Sequence, residues 1–171
     1  MTGTAYDPSA CVTRAGRPAF VVNVEVFLER DGRWLLIERG EREEHAPGLL
    51  SGVGGKVEAP GAGTGVLEET ARREVAEEIG VDLAGSGLTY VESSFFVTDD
   101  GDPVVNVVFR GPMPPGAQPV AASPEEVAGF VWLTVAEAEA DPGCPPWILG
   151  SLRRAASGTG RQTPSSSHRS T

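Results

Sequence analysis

At 171 residues the chain has the length of a single domain that can bury a full core. Twenty-four Asp and Glu against fourteen Lys and Arg leave a formal charge of −10 and a pI near 4.6, a field that repels polyanions and excludes a general nucleic-acid binder. No apolar run nears the roughly twenty residues of a membrane span, no basic-then-apolar signal opens the chain, and Cys11 and Cys144 lie too far apart in sequence for a metal pair or a disulfide framework. A cytoplasmic protein with no membrane partner, monomer or homodimer, is therefore expected.

In chain order, residues 1–18 read as an arm or edge segment, and Ala19 to Glu29, rich in Val and Phe, as a long strand. Asp31-Gly32 is a hairpin signal, returning the chain through Arg33 to Glu38. Arg39 to Pro47 forms a charged loop, and its His45 is most simply a solvated histidine. Gly52, Gly54 and Gly55 interrupt the apolar stretch that begins at Leu49, as expected where a backbone bends or approaches a ligand closely. The next element is a helix that stops at Gly80, a residue type suited to the left-handed position beyond a helix end.

That helix carries Glu74, Glu77 and Glu78 within an arc of about 100°, with Ala71, Val75 and Ile79 on the neighbouring apolar arc. Like charges at Glu74 and Glu78 cost a plain surface helix a few tenths of a kcal/mol, about what a Lys partner would contribute. A hard cation such as Mg²⁺ or Mn²⁺ reverses that sign, because an all-oxygen carboxylate cluster suits it. Beyond the helix, Leu88 to Thr98 and Val104 to Arg110 read as antiparallel strands around a Gly-Asp-Pro turn, Gly111 to Ser123 as loop, and Val127 to Leu133 as a short strand. Thr134 caps a helix through Ala140, Trp147 to Ala156 follows Pro145-Pro146 as a last helix, and residues 157–171 have the composition of a disordered tail.

The loop Gly54-Gly55-Lys56-Val57-Glu58 and the run Arg73-Glu74-Val75-Ala76-Glu77-Glu78-Ile79-Gly80-Val81 together resemble the Nudix box. One departure stands between the two halves. Arg73 lies eighteen residues after Gly55 where the family pattern has fourteen, so four residues are inserted in the stretch 59–64, and Gly65 occupies the position of the family's first glutamate. Glu58 and Glu68 are the carboxylates near enough in sequence to replace it, and the sequence does not choose between them. The resemblance extends from Ala19 to Ala156 and implies one Nudix domain over residues 19–156, an α/β/α sandwich with a mixed sheet between helices.

The resemblance further implies Glu74, Glu77 and Glu78 as metal ligands for Mg²⁺ or Mn²⁺, and Arg73 as positioner of the glutamates. It also implies a loop of Gly54, Gly55, Lys56 and Glu58 against the substrate. Lys56, the only lysine, is equally an ordinary surface cation. Many members carry one more carboxylate a few residues before a strand tryptophan; Glu126, six residues before Trp132, is the candidate here, with a solvated residue after a Ser-Pro turn as the alternative. The implied activity is hydrolysis of a nucleoside diphosphate linked to another moiety. A weakly active ligand-binding or regulatory module is one alternative. An isopentenyl-diphosphate isomerase-like enzyme is another, disfavoured because neither Cys11 nor Cys144 stands in a comparable place.

Overall fold

The computed structural model describes residues 12–41, 46–58 and 63–158. Ten elements follow one another: β1 Val21–Arg30, β2 Arg33–Arg39, β3 Leu50–Ser51, β4 Val53–Lys56, α1 Val66–Ile79, β5 Thr89–Val97, β6 Pro103–Pro112, β7 Val127–Leu133, α2 Val135–Ala140 and α3 Pro146–Ser157. The expected elements are all present, with β6 extending past both ends of its expected span. His45, Cys11 and most of the inserted stretch lie outside the described residues, as does the tail beyond Gly158.

The sheet has seven strands. β3-β2-β1-β6-β5 run in that order, with β4 paired to β1 and β7 to β2. Among the described residues only the β1–β6 pair is parallel, in register Val24↔Val107, so the sheet is mixed as expected. The β1–β2 hairpin turns through Asp31 at φ 52 and Gly32 at φ 76, the paired positive angles of a type I′ turn that matches strand twist. Beyond Leu28↔Leu35 the two strands diverge. The segment 50–56 spans the gap, first pairing Ser51 with Ile37 of β2, then Val53 with Val26 of β1. Gly52 is the crossing point.

Alternation along β1 feeds two cores. Val24, Val26 and Leu28 meet Ala71, Val75 and Ile79 of α1 on one face, and Phe27 meets Leu36, Val108, Ile148 and Leu152 beneath α2 and α3 on the other. Val75 and Ile79 are fully buried, each contributing about 1.5–3 kcal/mol and together holding α1 flat on the sheet. α2 begins with a complete capping box between Thr134 and Glu137. α3 has Pro146 at its start, where a missing N–H costs nothing. The result is an α/β/α sandwich, as the sequence implies.

Candidate active site

α1 begins at Gly65 in the left-handed conformation, φ 74, with no side-chain cap. It ends at Gly80, φ 66, whose N–H closes onto Ala76. Between these ends the helix brings Glu74 and Glu78, one turn apart, under β4. Contact that close requires glycines: a Cβ on Gly55 would stand 2.5 Å from the Glu74 carboxyl carbon, and one on Gly54 would stand 2.0 Å from the Val24 carbonyl oxygen.

Glu74 and Glu78 are buried at 9% and 6% exposure. Glu77 turns outward, correcting the expectation that all three carboxylates converge on one patch. Its Oε2 accepts a 2.7 Å hydrogen bond from Arg73 Nη1, and Arg73 Nη2 donates to Glu74 Oε1 at 2.5 Å and to the Lys56 carbonyl at 3.3 Å. Arg73 thus ties two glutamates to the glycine loop. Partial burial disfavours its charge, yet the paired glutamates outweigh that and hold it cationic. Among the described residues no three carboxylates are gathered closely enough to hold a metal as they stand.

Burial dominates the electrostatics of the two inward glutamates. Burial pushes the Glu78 carboxyl up to about 8, with the charges of Glu74 and Glu126 adding to the rise and the Gly54 N–H and Arg39 opposing it. Burial also raises Glu74, aided by Glu77 and Glu126 and opposed by Arg73. Glu126, one residue before β7, is exposed, and its charge adds to the rise of both glutamates. Glu78 Oε2 and Ser51 Oγ are buried and, among the described residues, have no hydrogen-bond partner. An unpartnered carboxylate oxygen beside a second carboxylate suits a hard divalent cation.

Lys56 and Glu58 have exposed side chains at the end of β4. Among the described residues Glu58 has no hydrogen-bond partner, and Glu68 stands half-buried, its Oε2 3.8 Å from where a Gly65 Cβ would be. Three residues escaped the sequence reading: Arg39, whose charge lowers Glu78, Ser51, and Glu25. Glu25 is 7% exposed, accepts from Gly52 N at 3.0 Å and Asn106 Nδ2 at 3.2 Å, and is raised chiefly by burial. Its one available signal was an acid at an inward position between Val24 and Val26.

The NUDIX domain family model matches residues 19–149. No curated protein matches the chain. Among solved structures, the MutT protein from Methanosarcina mazei Go1 superposes with a TM-score of 0.68 at 21% identity, over 83% of this chain and 96% of that one. The NUDIX domain of Shewanella oneidensis NrtR, complexed with ADP ribose, gives 0.65 at 19%, over 85% and 92%. A C. elegans Ap4A hydrolase binary complex gives 0.61 at 17%, over 81% and 96%.

Proposed function

Since the chain belongs to the NUDIX family, we propose that it is a Mg²⁺- or Mn²⁺-dependent pyrophosphohydrolase. Its substrate is a nucleoside diphosphate linked to another moiety, cleaved by water attack at phosphorus. The observation that carries this reading is the buried Glu74–Glu78 pair beneath Gly55, with Glu78 Oε2 unpartnered. Two like charges held out of water cost stability unless a cation or a proton answers them. Such a cation, when bound, neutralises phosphate charge and acidifies a coordinated water.

The chain's own residues supply the remainder. Glu74, Glu77 and Glu78 hold the cation, and Arg73 orients Glu74 and Glu77 while fixing the loop through the Lys56 carbonyl. Lys56 offers an exposed ammonium to a phosphate, while Gly54 and Gly55 keep the loop backbone free of side chains where substrate approaches. Glu58 lies at the rim of that loop. Glu126, within electrostatic reach of Glu78, accepts the proton released by the attacking water. A binding module is the second reading, favoured by Gly65 at the family's glutamate position and by the Arg73–Glu77 pairing.

The test is a panel of nucleotide sugars, ADP-ribose, dinucleoside polyphosphates and nucleoside triphosphates assayed with Mg²⁺ and with Mn²⁺, following phosphate and pyrophosphate release. On the best substrate, Glu78→Gln is expected to lower kcat by about 10²-fold or more, equivalent to roughly 3 kcal/mol of barrier. Full metal-dependent turnover in that variant sinks the assignment. No turnover of any compound by the unaltered chain favours the binding module.

A further inference from the structure

The connection from β6 to β7, residues 113–126, runs as a strap across the C-terminus of α1. The last carbonyls of a helix have no partner within it, and two of those in α1 are answered from outside. Ala122 N donates to the Glu78 carbonyl and Val120 N to the Ile79 carbonyl, both at 3.0 Å. Gly80 makes that approach possible, since a Cβ there would stand 2.7 Å from Val120 Cγ2. Nearer β6, Arg30 reaches the strap at the Ala117 carbonyl while its guanidinium lies 5.0 Å from the centre of the Trp132 ring. After Ala122 the chain turns sharply, with Glu126 N and Val127 N bonded to the Ser123 carbonyl at 3.0 and 2.9 Å. Glu126 therefore leaves a turn whose root is tied to the backbone of Glu78.

The far side of that turn is held by β2. Beyond the last β2–β7 pair, Arg39↔Val127, Gly40 N donates to the Glu126 carbonyl at 2.8 Å, so one more rung holds the residue that carries the carboxylate. Gly40 is buried, and a Cβ on it would stand 2.0 Å from the Glu125 carbonyl oxygen and 3.0 Å from the carbonyl carbon. Its φ lies outside the left-handed region. The position therefore demands not backbone freedom but room for the Glu125–Glu126 peptide. A backbone oxygen cannot swing aside as the end of a side chain can, so a side chain at position 40 displaces the strand end, the turn, or both. Gly129, opposite Glu38 in the same ladder, differs: a Cβ there first meets the end of the Glu38 side chain, at 3.3 Å. The charge of Glu126 acts on both Glu74 and Glu78, and the two anchors, the end of α1 and Gly40, set that separation.

We propose that Gly40 is the positioning residue for Glu126: by seating the Glu125–Glu126 backbone at the end of β2, it fixes where the Glu126 carboxylate stands relative to the Glu74–Glu78 pair. For its effect on turnover the proposal rests on the reading of Glu126 as proton acceptor. In steady-state kinetics on the best panel substrate with saturating Mg²⁺, Gly40→Ala is expected to lower kcat about tenfold or more while KM moves by less than about threefold. Gly129→Ala leaves both unchanged. Placed in a Glu126→Gln background, Gly40→Ala lowers kcat no further, because the group it misplaces is already disabled. Amide hydrogen exchange followed by NMR on metal-free protein reads the anchor without turnover. The Gly40 N–H of the unaltered chain is expected to be protected as the β2–β7 ladder amides are, and Gly40→Ala to lose protection at position 40 while keeping it at Val120 and Ala122. Thermal midpoints establish that the variants fold; if Gly40→Ala does not, exchange in the unaltered chain decides. Full kcat in folded Gly40→Ala overturns the proposal, as does an equal loss with and without the Glu126 carboxylate, or a Gly40 amide that exchanges as fast as an open loop. Full turnover in Glu126→Gln defeats the proton-acceptor reading instead, and no turnover of any panel compound by the unaltered chain defeats the hydrolase reading. In either case the exchange measurement alone upholds or overturns the anchor.

Discussion

Glu78 shows how one side chain links the fold to its pH response. Its carboxyl titrates near 8 in the folded chain, against an ordinary 4.5. The native state therefore keeps a proton that the unfolded state releases, and stability falls as pH rises from about 4.5 to 8. The loss from this residue alone is of the order of a few kcal/mol. Metal-free protein in EDTA is expected to have a lower urea midpoint at pH 8.5 than at pH 5, and Glu78→Gln to remove much of that difference. Equal slopes for the two proteins would contradict the buried, unpartnered carboxylate. The spacing of Glu74 and Glu78 was legible because helical periodicity alone puts them one above the other. The outward turn of Glu77 was not, since it depends on which rotamer pairs with Arg73. Nor was Glu25, whose partners Gly52 and Asn106 stand 27 and 81 residues away.

At the scale of elements, local chemistry was legible wherever a short-range rule decides it. Asp31-Gly32 forces the tight hairpin, Thr134 and Glu137 close a capping box, and Gly80 ends α1. The start of α1 is different. Gly65 serves as its N-cap at φ 74, without a side-chain bond to the free N–H groups, so the family's glutamate is absent from a position whose backbone now disfavours any side chain. Gly65→Ala is expected to destabilise the protein by about 1 kcal/mol through left-handed strain, read as a fall of a few degrees in thermal midpoint. Gly65→Glu carries the same strain and is expected to lower the midpoint alike, so reinstating the carboxylate alone does not rebuild the family's loop. An unchanged midpoint in both variants would mean that the helix start relaxes to a conformation in which a side chain is tolerated.

Across the whole molecule, strand order was beyond sequence reasoning because each pairing joins distant segments: β1 lies between β6 and the diverging β2 and β4, and only that divergence gives the glycine segment room to cross from one strand to the other. Net charge, by contrast, is a sequence property with a global consequence. At −10 the molecule repels an anionic substrate over distances set by the Debye length, about 30 Å at 0.01 M salt and 8 Å at 0.15 M. Lys56 is exposed at the mouth of the loop, but a single ammonium acts at short range, after the encounter has taken place. The long-range term therefore governs association, and kcat/KM for a polyphosphate substrate is expected to rise a few-fold between those salt concentrations, with the divalent cation held saturating throughout. Steady-state kinetics in NaCl give the slope directly. A fall of kcat/KM with salt would mean that local cations at the site, Lys56 foremost, outweigh the field of the whole chain, and Lys56→Gln would then restore the rising slope.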